Sequence, residues 1–381
     1  MKKILIFNIL FLNQNNIKNI NFKSLIILLA LIVKFINFIS KMDETNKLNL
    51  NLNENQRLLI GLDIGGSLTK LCIITNKNEK DINDFILTKN IFENIDLNEY
   101  NLFLASLHTN NFEKDVIKVI KDLNSIVKIN KINLTGGGAY KFNDLLKQNF
   151  DIELIKHDEL QSLINGYKLM NKYNNNIFYE IDNDQIKTVL PEDLTFPNIT
   201  SNIGSGVSIL KVSSGEKYER VGGTLMGGGT LIGLSKLIIG IDDYDKILEL
   251  ASRGNYENVD ITKKDLIKEK DDENSENNII GCLGKVQDYI LDGKKNELKK
   301  EDIALSLLNM ICSHISQYSV LYAEKNNIDT IYYFGTFTKN NSFANKLLSK
   351  SSKHWNKSIK IRFSNCGGYL GVIGTLLNKT N

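Results

Sequence analysis

Asp63 is followed within a few residues by Gly65, Gly66, Ser67 and Thr69, in the run RLLIGLDIGGSLTKLCIIT at 57–75. Apolar residues of strand character flank the Gly-Gly step, which predicts a hairpin whose tight turn suits glycine. Glycine also lets backbone N–H groups come close to a phosphate, and Ser67 and Thr69 add hydroxyl donors. Asp63, at the end of the first strand, is placed to hold a Mg²⁺ ion directly or through water, as phosphoryl transfer requires. On its own the segment also fits an ordinary hairpin.

The pattern returns in ITSNIGSGVSILKV at 199–212, with a Gly204-Ser205-Gly206 turn and a second hydroxyl at Ser208. Two such hairpins in one chain suggest a duplicated lobe, each presenting a loop to the same nucleotide. Neither has the G-x-x-x-x-G-K-[ST] pattern, and GSGVSI lacks the third glycine of a dinucleotide-binding turn. Further on, ERVGGTLMGGGTLIGLSKLI at 219–238 packs five glycines into eight residues. It predicts a loop feeding a helix N-terminus, so that Gly227, Gly228, Gly229 and Thr230 form an anion site. Arg220, just upstream, is a candidate for a bidentate grip on a carboxylate or phosphate, with a surface ion pair as the alternative. His157, Asp158 and Glu159 stand at an expected helix start, between the strand-like DIELI and the apolar LQSLINGYKLM. Acidic residues there are commonly helix-start charges.

Late in the chain, IDTIYYFGTFTKN at 328–340 predicts a buried strand ending in a Gly turn. FSNCGGYLGVIGTLL at 363–377 predicts a Gly-rich turn entering a final apolar helix. The length of 381 residues allows two lobes with substantial cores, and 42% hydrophobic with 24% charged residues is ordinary for a globular protein. The net charge of +3 is unevenly spread. Residues 1–41 hold six lysines and no acid, so the remainder has 41 basic against 44 acidic residues and a charge of about −3. That body offers no basic face for nucleic acid. Cys72, Cys282, Cys312 and Cys366 lie far apart with no C-x-x-C pair, which excludes the common zinc spacings and predicts reduced, mostly buried thiols.

Two apolar runs, ILIFNILFL at 4–12 and LIILLALIVKFINFI at 25–39, open the chain. The second is interrupted by Lys34 and Asn37 and is shorter than the ~20 apolar residues a spanning helix needs. Residues 1–57 are therefore expected to be a leader or upstream extension, with Met42 a natural start for a cytoplasmic enzyme. An organellar leader, or a membrane tether through residues 1–41, is the alternative.

In order, DIGGSLTKL (63–71), LTGGGAYKF (134–142), HDELQSLINGY (157–167), NIGSGVSIL (202–210), RVGGTLMGGGTLIGL (220–234) and GYLGVIGTLL (368–377) resemble the eukaryotic, type II-like pantothenate kinases. The resemblance covers roughly residues 58–378. It implies ATP-dependent phosphorylation of pantothenate to 4′-phosphopantothenate, a homodimer, and feedback by an acyl-CoA that competes with ATP. It places the family's catalytic glutamate on Glu159, its two active-site serines on Ser205 and Ser208, its substrate-gripping arginine on Arg220, and the lysine of the first phosphate loop on Lys70. Two segments depart from the family: the charge-rich stretch 263–301, which puts acyl-CoA control in doubt, and Gly335-Thr336-Phe337 in place of Gly-Asn-Phe.

The expected fold is α/β, a two-lobed actin-like ATPase (ribonuclease H-like). Each lobe is a mixed sheet flanked by helices, lobe one running over 58–198 and lobe two over 199–381, with the nucleotide in the cleft. Two other readings stand beside it. One is a sugar kinase of the same superfamily, for which the aspartate base and sugar-gripping His/Glu set are missing. The other is a non-catalytic subunit, against which Glu159 and Arg220 speak.

Overall fold

The computed structural model describes residues 57–377 apart from 98, 174–176, 183–184, 190–195, 215–216, 267–278 and 340. The expectations for residues 1–56 therefore lie outside the described residues. Arg57, assigned above to the extension, instead pairs with Glu79 and Asp81 of the first lobe.

The first lobe carries β1 (Leu58–Ile64), β2 (Leu68–Asn76), α1 (Lys80–Thr88), β3 (Glu93–Leu97), β4 (Tyr100–His108), α2 (Lys118–Ile126), β5 (Lys131–Thr135), α3 (Gly138–Lys141), α4 (Asn143–Asn149) and β6 (Glu153–Lys156). Its six strands lie in the order β3-β4-β2-β1-β5-β6. β1 is central and apolar on both faces, as a strand covered on both sides must be. The long helix α5 (Glu159–Tyr173) follows.

The second lobe begins with β7 (Phe178–Asp182), β8 (Gln185–Val189), β9 (Asn198–Ile203), β10 (Val207–Val212), β11 (Tyr218–Thr224), α6 (Gly228–Ile239) and α7 (Tyr244–Ala251). A two-stranded ribbon of β12 (Ile261–Thr262) and β13 (Ile279–Gly281) comes next, with α8 (Lys263–Leu266) and α9 (Val286–Leu291), so the described flanks of the charge-rich stretch are ordered structure. Then come α10 (Lys300–Lys325), β14 (Thr330–Phe334), α11 (Ser342–Trp355), β15 (Lys360–Ser364) and α12 (Leu370–Gly374). The seven-stranded sheet has the order β11-β10-β9-β14-β15-β7-β8.

The duplication is explicit in the strand order. β4-β2-β1-β5-β6 and β11-β10-β9-β14-β15 are the same arrangement: a hairpin extended by a third antiparallel strand on one side and by two parallel strands on the other. Each sheet has its own apolar cluster, one around Leu62, Ile73 and Phe103, the other around Ile209, Ile311 and Tyr333. β7 and β8 hydrogen-bond in the second sheet, and Ile181 joins the second core. Sheet membership thus changes between Lys156 and Phe178, ahead of the sequence boundary at 198.

Helices α5 and α12 cross with backbones almost touching. A Cβ at Gly374 would fall 1.7 Å from the Ser162 carbonyl oxygen, a position no other residue can occupy without parting the helices. Across the lobes, the Lys339 ammonium reaches Glu93 at 2.5 Å and the Tyr369 hydroxyl at 2.8 Å. Cys72, Cys312 and Cys366 are buried and Cys282 half-buried, all as free thiols.

Candidate active site

The register of the first hairpin sets Asp63 directly opposite Lys70, and the Lys70 ammonium lies 3.3 Å from an Asp63 oxygen. Both side chains are mostly buried, at 14% and 17% exposure, so the pair is only weakly screened by solvent. The chain leaves β5 over this carboxylate through Gly136, whose φ of +82° and lack of Cβ are both required: a Cβ would fall 2.6 Å from Asp63 Oδ1.

Thr69 was expected to bind phosphate and does not face the cleft. It is fully buried on the opposite face of β2 from Lys70, since successive residues of a strand alternate. Thr109 donates to the Gly65 carbonyl at 2.9 Å, so Thr69 donates to Thr109 across 3.0 Å. Its hydroxyl thus braces the turn. The Gly65 N–H is also engaged, with the Leu68 carbonyl at 3.0 Å. Gly66 and Ser67 are the exposed part of the loop.

In the second hairpin the Gly204 N–H bonds Gly206 O at 2.9 Å. The expected anion site at the start of α6 is built differently from the sequence reading. The Gly228 and Gly229 amides donate to the carbonyls of Gly204 and Ser205, at 2.8 and 3.1 Å, and so clamp the hairpin onto the helix. Thr230 turns its hydroxyl to Leu225 O at 3.0 Å. What the helix still offers an anion is its positive end behind the exposed Ser205.

Arg220 lies within β11 rather than in a loop. The pairing of β10 with β11 shifts register between Ile209 and Leu210, leaving Val221 as the extra residue. That bulge reverses the alternation, so Arg220 and Gly223 point to the same face, as does Ser208, the cross-strand partner of Gly223. The Arg220 guanidinium lies 3.4 Å from where a Gly223 Cβ would be, so glycine there leaves it room. Among the described residues Arg220 makes no ion pair within 4.0 Å.

Glu159 opens α5. The stretch before it is tied to β5: the His157 N–H bonds Leu134 O at 2.8 Å, Thr135 Oγ1 bonds His157 O at 3.1 Å, and the His157 ring meets Asn133 Oδ1 at 2.9 Å. Glu159 is exposed by surface area, yet partial desolvation by its surroundings pushes its carboxyl above the usual glutamate range. The negative charges of Asp63 and Asp158 push the same way, and Lys70 and Arg220 pull back. Residues 63, 70, 159 and 220, widely separated in sequence, therefore share one electrostatic site. A carboxylate of raised proton affinity is the kind of group that can take a proton from a hydroxyl. Sequence reasoning saw Asp158 only as a helix-start charge and missed Tyr218. The Asp158 carboxylate accepts from Gln161 N at 2.8 Å, capping α5, and from the Tyr218 hydroxyl at 2.9 Å.

A family model described as Fumble matches residues 59–378. A pantothenate kinase of Schizosaccharomyces pombe is 32% identical over 349 residues, covering 85% of this chain and 83% of that protein. A 4′-phosphopantetheine phosphatase of Mus musculus is 33% identical over 350 residues, and this chain spans 41% of its length. Among solved structures, a Balamuthia mandrillaris glucokinase is similar at 12% identity, with a TM-score of 0.45 over 87% of this chain and 96% of that one. With two hairpins of one plan and a family match over nearly all described residues, the chain belongs to the Fumble family, the pantothenate kinases of the eukaryotic type.

Proposed function

We propose that this chain phosphorylates the primary hydroxyl of pantothenate with ATP, giving 4′-phosphopantothenate and ADP. The observation that carries the reading is Glu159. It is a carboxyl of raised proton affinity, within the electrostatic reach of the Asp63–Lys70 pair on one side and Arg220 on the other. In this reading the exposed turns at Gly66-Ser67 and Ser205-Gly206 meet the phosphates. Arg220 grips the pantothenate carboxylate on the face it shares with Ser208, and Glu159 takes the proton as the hydroxyl attacks in line.

Magnesium fits the residues present. This ion is commonly held by one or two carboxylates together with nucleotide phosphates. Asp63 is such a carboxylate, and no cluster of three or more ligating side chains exists among the described residues to hold the ion alone. Asp63 would hold it, directly or through water, and the ion would neutralise charge on the transferring phosphoryl group.

The mouse relative's name raises a phosphatase alternative, but the match spans 41% of that protein, whereas the fission yeast kinase is matched over 83% of its length. The reading also carries a homodimer and an acyl-CoA competing with ATP, checked by light scattering and by inhibition against varied ATP. ATP consumption by the purified chain with pantothenate, N-acetylglucosamine or no acceptor tests the central claim. Turnover with pantothenate alone is expected. Turnover with the sugar, or with none of the three from protein that binds ATP, would overturn it.

A further inference from the structure

The structure assigns a positioning role to Tyr218: its hydrogen bond to Asp158 braces β11 against α5 and sets the spacing between Arg220 and Glu159. The residues joined are 60 apart in sequence and belong to different structural units, β11 at the edge of the second sheet and the start of the helix that leaves the first. Asp158 Oδ1 holds both, at 2.9 Å to the Tyr218 hydroxyl and 2.8 Å to the Gln161 amide. Glu159 is the next residue along the chain. Arg220 is two residues beyond Tyr218, and before the bulge at Val221, so Tyr218 and Arg220 share a face of the strand.

β11 has a strand neighbour on one side only, and Ser214 and Lys217, just ahead of it, are exposed. Its start therefore depends on side-chain contacts more than a central strand would. An acceptor gripped at its carboxylate by Arg220 and at its hydroxyl by Glu159 needs those two groups at a fixed separation, and the brace is a direct bond between the elements that carry them. Tyr218 touches neither substrate nor the reacting atoms; it acts through Asp158. The kinetic part of the test rests on the kinase reading above, and the exchange part does not.

Tyr218→Phe removes only the hydroxyl. In the full chain it is expected to lower kcat/KM for pantothenate by about tenfold while leaving KM for ATP unchanged, since a small misplacement of reacting groups is costly. Asp158→Asn keeps an acceptor oxygen for both bonds and should hold hydrogen exchange at 158–161 and 218–220 near the parental rates, whereas Asp158→Ala should match or exceed the loss of kcat/KM in Tyr218→Phe. By hydrogen exchange, Tyr218→Phe should speed exchange at both 158–161 and 218–220. Parental exchange rates in both segments would overturn the brace whatever the kinetics, as would a KM for ATP rising in step with that for pantothenate. If the parent chain proves inactive on pantothenate, the kinase reading falls, and the exchange result alone decides the brace.

Discussion

Opposite one another at the mouth of the first hairpin stand Asp63 and Lys70; at the corresponding place in the second stand Asn202 and Ser208. The strand plan around them is the same, yet one lobe brings an ion pair to the cleft and the other brings neutral groups. The way each turn is held differs as well. Threonine side chains, Thr69 through Thr109, pin the first, and the backbone amides that open α6 pin the second. The comparison teaches that a duplicated scaffold need not duplicate its chemistry. In the proposed reaction the first lobe would supply the carboxylate that holds Mg²⁺ beside the transferring phosphate, and the second uncharged donors and a helix end that do not repel the nucleotide.

Glu159 answers to the charged side of this division, so its removal should have the largest effect. Glu159→Gln is expected to lower kcat by on the order of 10³ while ATP affinity, read by calorimetry, stays within about twofold. A large loss of ATP binding would instead place Glu159 with the nucleotide. In the parent chain the carboxyl must be ionised to accept a proton, and its proton affinity is raised first by desolvation and then by Asp63. The acidic limb of kcat/KM should therefore lie above the ordinary glutamate range, with activity rising as pH rises through it, and a limb at or below that range would contradict the upward push of desolvation and Asp63.

The exchange of charges between lobes is the next test. Asp63→Asn should cost about 10² in kcat. Adding Asn202→Asp should give no recovery, because position 202 faces Ser208 and has no Lys70 to hold a carboxylate ionised beside phosphates. Recovery of turnover in the double variant would break the proposed division of labour. A smaller effect, confined to the neutral side, is expected of Gly227→Ala. Its Cβ would sit 2.8 Å from the Ser205 carbonyl oxygen and push the hairpin off α6. KM for ATP should rise about tenfold, equivalent to ~1.4 kcal/mol, with kcat nearly kept; an unchanged KM would remove this hairpin from the nucleotide.

Much of this division was legible in the sequence, because glycine turns between apolar runs are local signals. Both hairpins, the start of α5 at Glu159 and the closing helix α12 lie where residue pattern predicted them. What escaped depends on pairing over distance. β8 is short and largely exposed, so nothing local says that it and β7 join the second sheet. The glycines at 222 and 223 suggested a loop, yet both sit in β11: a Cβ at 222 would strike the Tyr322 ring, and one at 223 the Val207 carbonyl oxygen. Thr69 looked like a phosphate donor because hydroxyl and spacing were right, while strand alternation turned it inward. Asp158 read only as a helix-start charge and Tyr218 carries no motif, and their meeting exists only once two sheets and a helix are in place.

The smallest effects separate two hydroxyls that sequence alone would treat alike, one on the second strand of each hairpin. Thr69 is buried and bonded to Thr109, whereas Ser208 is half-buried and makes no side-chain hydrogen bond among the described residues. Thr69→Val removes a buried hydrogen bond of about 1 kcal/mol, so the urea midpoint should fall while kcat/KM stays within about twofold, because Thr109 still holds the Gly65 carbonyl. Ser208→Ala should do the reverse, leaving stability within about 0.5 kcal/mol and raising KM for pantothenate by about fivefold, as expected for one hydrogen bond to ligand. If Thr69→Val also weakens substrate binding at unchanged stability, its hydroxyl reaches the ligand and the first turn must open on binding. In that case the two lobes are more alike in the complex than they are here.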